Sequence, residues 1–332
     1  MNRSKFILDQ LKFYAKHSFQ HQILVGDSSS LKEHQDNLKK IEYEFSDKLD
    51  LSFYHFPQKT NREVNLLLAS KAREKYCSFI GDDDYFVADG LDKCVLFLDK
   101  NKSYRTAQGS SLLFLKNDRR FYWSWYWRNV GSEKETALER FSQHSFEYWV
   151  PIFSVHRVDE FLEDISHLQT IDKSFDLELI QSFNMVSKGK SKFIDMPYLI
   201  RQAHPTRLVT LSGIEWITSE GWFESFETFC DVLAFSISKI DGIPILESKK
   251  LVQDLFKMGY LDLQLEKQYT IATKLDHLIL LKSLMKKIIN FFRIFGFDTQ
   301  IHKLICKKRF GKKWLLIIDE IESNYSVYDS KF

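Results

Sequence analysis

Three consecutive carboxylates, Asp82 to Asp84, follow a short apolar run that begins at Tyr76. An apolar run of this length that ends at Gly81 is typical of a buried strand. Open α/β sheets bind ligands in the crevice beyond the carboxyl ends of their strands. Adjacent carboxylates repel one another, and hard oxygen ligands of this kind suit Mg²⁺ or Mn²⁺ with positions left for phosphate oxygens. The stretch therefore favours a metal–diphosphate site, although three such residues would also suit a solvated acidic turn.

A further acid, Asp27, ends the apolar run from Gln22 to Gly26 and precedes three serines. An acid at a strand end followed by small hydroxyl residues suits a turn that faces a ligand. The same position would also suit an N-cap, in which Asp27 or Ser28 closes the start of the next helix. The two interpretations, ligand contact and cap, stay open at this level.

The composition of the chain limits the classes of function open to it. Its 332 residues carry a formal net charge of +2, so no overall basic field points to nucleic acid. Its four cysteines are widely spaced and form no Cys-x-x-Cys pair, which indicates reduced thiols. The sequence shows no apolar signal core at its N-terminus and no window long enough for a transmembrane helix. We therefore expect a cytoplasmic protein with no nucleic-acid partner.

Helical and strand-like segments alternate along the first part of the chain. Apolar residues at helical spacing predict helices, and short apolar or alternating runs predict strands. The predicted helices lie at residues 4–18, 61–76, 90–99, 133–147, 156–168 and 174–188. The predicted strands lie at residues 22–26, 50–56, 77–80, 104–116 and 193–200. This alternation indicates an α/β fold in which helices flank a mostly parallel sheet.

The stretch from Arg119 to Arg128 places six aromatic residues between arginines. A hydrophobic plug is the favoured interpretation, and stacking against a base or a sugar is the alternative.

The chain beyond about residue 210 has helical patterns and no clear strand. Residues 222–240 and 247–260 predict amphipathic helices, and a strongly apolar helix at 274–296 precedes a run of cations from Lys303 to Lys313. A core helix followed by a solvated basic tail is the favoured interpretation. The alternative is a basic amphipathic surface that docks on an anionic membrane.

These motifs, in this order, resemble the family 2-like GT-A glycosyltransferases of bacterial surface glycan synthesis. The resemblance covers about residues 1–205 and is carried by Asp27, Gly81–Asp84, Gly90–Asp99 and Tyr104–Gly109. It is greatest for a bacterial subgroup with a Gly-Asp-Asp-Asp signature. The resemblance implies a Rossmann-like GT-A domain over residues 1–205 that binds a nucleotide sugar. Residues 206–332 lie outside the resemblance, and from their own pattern we expect a helical region that contacts the acceptor or the membrane.

The resemblance also implies roles for residues that bind the donor. Asp27 matches the acid that contacts the nucleotide base, and Arg73 matches a basic position that faces the nucleotide. Asp82 and Asp83, within the Asp-x-Asp element, would reach the ribose and the metal bound to the diphosphate. The implied metal ligands, for Mn²⁺ or Mg²⁺, are Asp82, Asp84 and His204. Arg201 would lie near the diphosphate.

For catalysis, the resemblance implies that Glu178 removes the acceptor proton, or failing that Asp176. The family normally has an adjacent acid pair, whereas this chain has Asp-Leu-Glu, so the identity of the base stays open. The implied reaction is a metal-dependent, inverting transfer of a sugar to a hydroxyl of a glycan or lipid-linked acceptor. The implied location is the cytoplasm, or the inner face of the membrane.

Two other functions stay open. A metal-dependent nucleotidyltransferase could also use clustered aspartates, but it would need a second, separate acidic cluster for a two-metal site. A truncated, inactive GT-A-like binding or scaffold protein is the other alternative.

The start of the chain departs from the family pattern. The family begins with a buried strand that ends Pro-Thr-x-Asn-Arg, whereas here Met1 is followed directly by Asn2 and Arg3. We therefore expect the first family strand to be missing from the sheet, between the strands at 22–26 and 77–80. We also expect the reading frame to continue upstream of Met1 and to encode that strand.

Overall fold

The computed structural model describes residues 4–117, 120–126, 131–166, 172–203, 213–266, 308 and 311–324. The helices are α1 Ser4–Lys16, α2 Leu31–Phe45, α3 Asn61–Ala69, α4 Ala88–Lys100, α5 Ala137–Phe146, α6 Val158–Ile165, α7 Ile180–Lys188, α8 Ile214–Ile217, α9 Trp222–Asp241, α10 Ile245–Phe256 and α11 Lys312–Asn324. The strands are β1 Ile23–Asp27, β2 Leu51–His55, β3 Tyr76–Cys77, β4 Tyr85–Phe86, β5 Tyr104–Asn117, β6 Arg120–Tyr126, β7 Val155–Arg157 and β8 Lys190–Gln202. The predicted α/β class with a helical region after residue 210 is confirmed.

The described strands form two sheets. β1 and β2 pair in parallel, from Ile23 opposite Leu51 to Asp27 opposite His55. The second sheet has the order β3-β7-β5-β8-β4, and β6 pairs with the outer part of β5. Only β5 and β8 are parallel within it. The sheet is therefore mixed rather than mostly parallel, because the β5–β6 hairpin and the strands β4 and β7 run against their neighbours.

The break between the two sheets falls where the sequence predicts the absence of the first family strand. Among the described residues, β1 pairs only with β2, and β3 pairs only with β7. The predicted strand at 77–80 has ladder pairing only at its start, where Tyr76 and Cys77 face Arg157 and His156. All five residues of β1 are half-buried, which is unusual for a parallel strand.

Between β2 and β3 the chain runs back along the two-stranded β1–β2 sheet. Helix α3 begins beyond the carboxyl end of β2, and after α3 the backbone N–H of Arg73 donates to Gln22, just before β1. The chain has therefore returned to the amino ends of β1 and β2 before β3 starts. The acidic turn after β3 thus lies toward the edge where Asp27 and His55 end their strands.

The hydrophobic cores join segments from both sides of residue 205. One cluster includes Phe13 of α1, Leu112 of β5 and Ile318 of α11. A second cluster packs Phe183 of α7 against α9 and α10. Helix α11 is also tied to α1, since Glu320 forms ion pairs with Lys16 at 3.0 Å and with His17 at 3.2 Å. The described helices α9, α10 and α11 therefore pack into cores that they share with earlier segments.

In the aromatic stretch at 119–128, Trp123 is the residue whose side chain is described. Its ring is buried against Phe114 in the first core, and its Nε1–H donates to Glu322 of α11 at 2.7 Å. At this position the residue acts as a packing element between the sheet and α11.

In the described part of the chain, no helix combines the length and apolarity needed to cross a membrane.

A buried ion pair fixes the sheet to the helices behind it. Arg105 of β5 donates from Nε and Nη2 to the carboxylate of Asp164 in α6, both at 2.8 Å. Asp164 is fully buried, and burial raises the pKa of its carboxyl despite the neighbouring Arg105. Lys188 of α7 also reaches Asp164, at 3.2 Å.

We predict that Arg105→Met lowers the free energy of unfolding by about 3 kcal/mol or more, because it leaves a buried carboxylate with one cation instead of two. Urea unfolding followed by circular dichroism measures the change. Lys75→Met is the control, since its pair with Asp99 is exposed and should contribute little. Arg105→Met combined with Asp164→Leu should recover much of the loss. If Arg105→Met and Lys75→Met lower the free energy of unfolding equally, the buried Arg105–Asp164 pair does not have this role.

Candidate active site

Helix α1 holds the acidic turn in place. Nε2 of Gln10 donates to the carbonyl oxygens of Gly81 and Asp84, at 2.7 and 2.6 Å. One turn later, the hydroxyl of Tyr14 accepts from the N–H of Phe86 at 3.1 Å. These side chains satisfy backbone groups that a three-residue acidic turn would otherwise leave without partners.

Asp84, just before β4, is buried against the last residues of β8. Its Oδ1 accepts from the backbone N–H of Gln202 at 2.9 Å, and its Oδ2 lies 3.4 Å from Nε of Arg201. Burial raises the pKa of the Asp84 carboxyl to about 6, with Arg201 and Gln202 opposing this and Asp83 adding to it. The structure therefore brings Arg201, one of the predicted site residues, directly to the acidic turn. Its guanidinium also lies over the ring of Phe153, 4.5 Å from the centroid.

The other two acids complete the turn. Asp83 is buried and Asp82 is half-buried. A Cβ added to Gly81 would lie 2.9 Å from Oδ1 of Asp83 and 3.8 Å from Oδ2 of Asp84, so glycine leaves space into which both carboxylates point. The turn thus concentrates carboxylate oxygens at one place.

The fit of this turn to a divalent cation depends on the ligand. No group of three His, Cys, Asp or Glu side chains that could hold a metal occurs in the described ranges. His204, predicted as a ligand, lies outside the described residues. Mg²⁺ commonly takes only one or two protein carboxylates and completes its shell with phosphate oxygens and water. A cation at this turn would therefore have to take most of its ligands from a bound diphosphate and water.

Asp27 lies at the carboxyl end of β1 in a polar and aromatic cluster. Its Oδ1 accepts from the N–H of Ser29 at 2.9 Å, and its Oδ2 lies 3.0 Å from Nδ1 of His34. Burial raises the pKa of Asp27, but these two partners outweigh it and hold the pKa below its usual value. The ring of His34 stacks on His55, with centroids 4.4 Å apart.

The cap of α2 is supplied by another residue, Ser30, whose hydroxyl accepts from the N–H of Glu33. This leaves the carboxylate of Asp27 at the strand edge rather than at the helix end. Sequence analysis missed His34 and His55. The one local signal for His55 is its place at the end of β2, opposite Asp27.

Arg73 lies at the amino ends of the strands in the two-stranded β1–β2 sheet (the small sheet), opposite to the carboxyl ends where Asp27 lies. Helix α3 ends at Ala69 rather than at residue 76, so Arg73 follows the helix instead of belonging to it. Its guanidinium is exposed and pairs with Asp50, which precedes β2. The structure therefore does not bring Arg73 to the edge that holds Asp27 and the acidic turn.

Asp176 and Glu178 lie on a π-helical turn, Phe175–Leu179, that leads into α7. Asp176 is buried, and its Oδ1 lies 3.3 Å from Nε of Arg62 at the start of α3. Glu178 is exposed, and its Oε1 accepts from the hydroxyl of Tyr148 at 2.7 Å. Residues two apart on a helix point to different sides. Asp176 therefore faces α3, whereas Glu178 lies at the surface beside Tyr148.

Arg62 is a site residue that sequence analysis missed. It is the second residue of α3, so it lies at the carboxyl edge of β2, and only 6% of it is exposed. A buried arginine next to a buried aspartate is costly unless the two are paired, and this pair joins segments more than a hundred residues apart. No local pattern in the sequence indicates such a contact.

Comparison with known proteins gives similarity in structure alone. No family model matches the chain, and no curated protein matches its sequence. The crystal structure of S. aureus TarS 1–349 in complex with UDP has a TM-score of 0.46 at 17% identity, covering 77% of this chain and 68% of that one. The crystal structure of S. aureus TarS 1–349 alone has a TM-score of 0.49 at 14% identity, covering 84% of this chain and 74% of that one. The complex of TarS 1–349 with UDP-GlcNAc has a TM-score of 0.49 at 16% identity, covering 76% of this chain and 68% of that one.

We predict that Asp84 makes the folded protein less stable as the pH rises. Its carboxyl pKa is about 6 in the folded protein, against about 3.9 in an unfolded chain. The folded state therefore binds the proton more tightly, and the free energy of unfolding falls between about pH 4 and pH 6. Asp84→Asn removes this dependence. Between about pH 4 and pH 6, the free energy of unfolding of the variant should rise relative to that of the wild type by about 2–3 kcal/mol. Above about pH 7 the difference between the two should stay constant.

Urea unfolding at each pH measures this difference. Asp99→Asn is the control, because Asp99 is an exposed acid outside the turn. A constant difference between Asp84→Asn and the wild type from pH 4 to pH 7 would show that Asp84 does not titrate in this range.

Proposed function

We propose that this chain is a GT-A glycosyltransferase that transfers a sugar from a nucleotide-sugar donor to an acceptor hydroxyl. The observation that carries the proposal is the pairing of Asp84, in a buried acidic turn beyond a strand end, with Arg201 at the end of another strand. Carboxylates and a guanidinium side by side suit a nucleoside diphosphate, because a cation held by the acids and the arginine can both contact phosphate oxygens.

Arg201 supplies the fixed positive charge of the proposed diphosphate site. About a quarter of its side chain is exposed, so the guanidinium remains reachable while Phe153 and Asp84 orient it. A planar guanidinium can donate two parallel hydrogen bonds to a phosphate. Placed at the leaving diphosphate, it would stabilise the negative charge that develops there as the glycosidic bond breaks.

Asp82 and Asp84 would hold Mg²⁺ or Mn²⁺ together with the diphosphate. The bound metal would supply further positive charge at the leaving group. The raised pKa of Asp84, about 6, means that its carboxylate is charged at neutral pH and becomes protonated in mild acid. Because a metal competes with that proton, donor binding should weaken below about pH 6.

The nucleotide base would lie near Asp27, at the same edge. The carboxylate accepts from Ser29 and contacts His34, and each oxygen retains capacity for a second hydrogen bond. Its position opposite His55 places it next to a pair of stacked imidazoles.

Asp176 is the better candidate for the base that removes the acceptor proton. It faces the start of α3, where Arg62 contacts its carboxylate, whereas the exposed Glu178 accepts a hydrogen bond from Tyr148. We therefore place Asp176 ahead of Glu178, the reverse of the order expected from the sequence. Removal of the acceptor proton as the sugar moves, in a single displacement, would invert the anomeric centre.

The proposed acceptor is a hydroxyl of a glycan or lipid-linked molecule in surface glycan synthesis, on the cytoplasmic side of the membrane. Of the basic run from Lys303 to Lys313, which would contact the membrane, the described residues include Lys308, Lys312 and Lys313. A nucleotidyltransferase is not favoured, since a two-metal site needs clustered acidic ligands and the described ranges hold no group of three His, Cys, Asp or Glu side chains that could bind a metal.

The first test is binding of a panel of UDP, GDP, UDP-glucose, UDP-GlcNAc and GDP-mannose, with and without Mn²⁺, measured by thermal shift and calorimetry. Metal-dependent stabilisation by one nucleoside diphosphate and its sugar supports the transferase. No response to any of them would favour the inactive binding or scaffold protein instead.

We predict that Asp82→Ala and Asp84→Asn each weaken metal-dependent donor binding about tenfold or more, because each removes a carboxylate ligand. Asparagine is used at position 84 because this residue is buried and its shape must be kept. Calorimetry with Mn²⁺ present measures the affinity, and Asp99→Ala is the control. Unchanged donor affinity in both variants would show that the donor's metal does not bind at this turn.

We predict that Asp176→Asn lowers kcat by about 10²–10⁴-fold while the donor dissociation constant changes little, because a general base acts on the acceptor in the transition state. Glu178→Gln, at a neighbouring exposed acid, should have a much smaller effect. Release of nucleoside diphosphate in the presence of acceptor measures turnover. The opposite ranking of the two variants would return the role to Glu178.

A further inference from the structure

A side chain from helix α1 closes the acidic turn. Within the turn, the backbone N–H of Asp84 lies 3.4 Å from the carbonyl oxygen of Gly81, which is longer than an ordinary backbone hydrogen bond. Nε2 of Gln10 donates to both of the carbonyl oxygens that bound the turn, to Gly81 at 2.7 Å and to Asp84 at 2.6 Å. One amide group therefore supplies the closure that the turn's own bond provides only weakly.

This closure sets the positions of the acids between the two carbonyl groups. Asp82 and Asp83 are the central residues of the turn, and a Cβ added to Gly81 would lie 2.9 Å from Oδ1 of Asp83. Adjacent carboxylates repel one another, so a turn without closure would open to separate them. Gln10 is 3% exposed and precedes Leu11, which is fully buried in the first core. The position of the amide is therefore set by the core rather than by the turn.

The donor at this turn is uncharged. Elsewhere, Arg140 donates to four backbone carbonyl oxygens and Arg157 donates to three. A cation in the place of Gln10 could bind the two carbonyl oxygens as well, but it would also offset part of the charge on the carboxylates. An amide donates the same bonds without adding charge. The negative charge of the turn therefore remains for a ligand that arrives with its own cation.

We propose that Gln10 is the positioning residue of the acidic turn, whose uncharged amide holds the turn in the shape that binds a metal ion together with a diphosphate. The proposal depends on the proposed glycosyltransferase function and adds a residue that acts through the backbone of Gly81 and Asp84. Loss of Gln10 would therefore raise the concentration of metal that donor binding requires. A hydrogen bond that serves stability alone is the competing explanation.

The first variant is Gln10→Met, which keeps the length of the side chain but removes its donors. Without ligand it should melt about 2–8 °C lower than the wild type, because two carbonyl oxygens lose a partner. The Mn²⁺ concentration for half-maximal binding of the nucleoside diphosphate should rise about tenfold or more. At saturating Mn²⁺ the affinity should recover, because the bound metal then offsets the repulsion between the carboxylates. Calorimetry over a series of Mn²⁺ concentrations measures this, with the diphosphate from the panel above that the wild type binds.

Gln10→Lys tests the importance of an uncharged donor. An ammonium group can donate to both carbonyl oxygens, so this variant should melt close to the wild type. It should nevertheless require about tenfold more Mn²⁺, because its fixed charge repels the metal ion. It also serves as the second variant if Gln10→Met does not fold.

Asn184→Leu is the matched control. Asn184 is 1% exposed, and its Nδ2 donates to the backbone carbonyl oxygen of Asp164 in α6 rather than to the turn. Its substitution should also lower the melting temperature, but the Mn²⁺ requirement for diphosphate binding should stay that of the wild type.

The possible results separate this inference from the proposed function. If Gln10→Met loses stability but requires no more Mn²⁺ than the wild type, Gln10 serves stability alone and the inference is overturned. An equal rise in the Mn²⁺ requirement of Gln10→Met and Asn184→Leu would also overturn it, since lower stability would then be the cause. If Gln10→Lys has the Mn²⁺ requirement of the wild type, the uncharged amide does not have the proposed role. If the wild type binds no member of the panel, the proposed function itself fails, and this inference fails with it.

Discussion

Burial of the Asp84 carboxylate is the constraint on which the rest of the site depends. A buried carboxylate needs partners, and these come from distant parts of the chain: a backbone N–H and a guanidinium at the end of β8, with Gln10 of α1 holding the turn itself. Satisfying one acid therefore aligns the first helix, the short strand β4 and the last strand of the sheet. The same burial raises the pKa of Asp84, so the group that organises the turn is also the one whose charge responds to mild acid.

Buried charges join the layers elsewhere by the same principle. Arg105 ties β5 to α6 through Asp164, and Arg62 ties the start of α3 to the turn that carries Asp176. In each pair, loss of one partner would leave the other charged in a poorly solvated place. At Asp164 the result is structural. At Asp176 the same kind of contact orients an acid beside the start of α3, so stability and the proposed role of Asp176 depend on one interaction.

The helices after residue 205 contribute to this arrangement instead of standing apart. Helix α9 packs on α7, which follows the Asp176 turn, and the carboxylate of Asp241 at its end accepts from the N–H groups of Ala137 and Leu138. This carboxylate caps α5 and complements the positive end of its dipole. The position of Asp176 therefore depends on helices encoded far downstream of it, and two hydrophobic clusters join segments from both sides of residue 205.

Local pattern in the sequence was sufficient to predict the α/β class, the helices at 222–240 and 247–260, and the location of Asp27 and of Asp82–Asp84 at strand ends. These properties depend on the spacing of apolar residues and on neighbouring residue types. The tertiary structure alone decided the rest. Arg73 lies at the far edge because α3 stops at Ala69, and Asp176 and Glu178 face different neighbours because a helix turns them apart. Arg62 and Gln202 gained their places from contacts with residues over a hundred positions away, which no local pattern encodes.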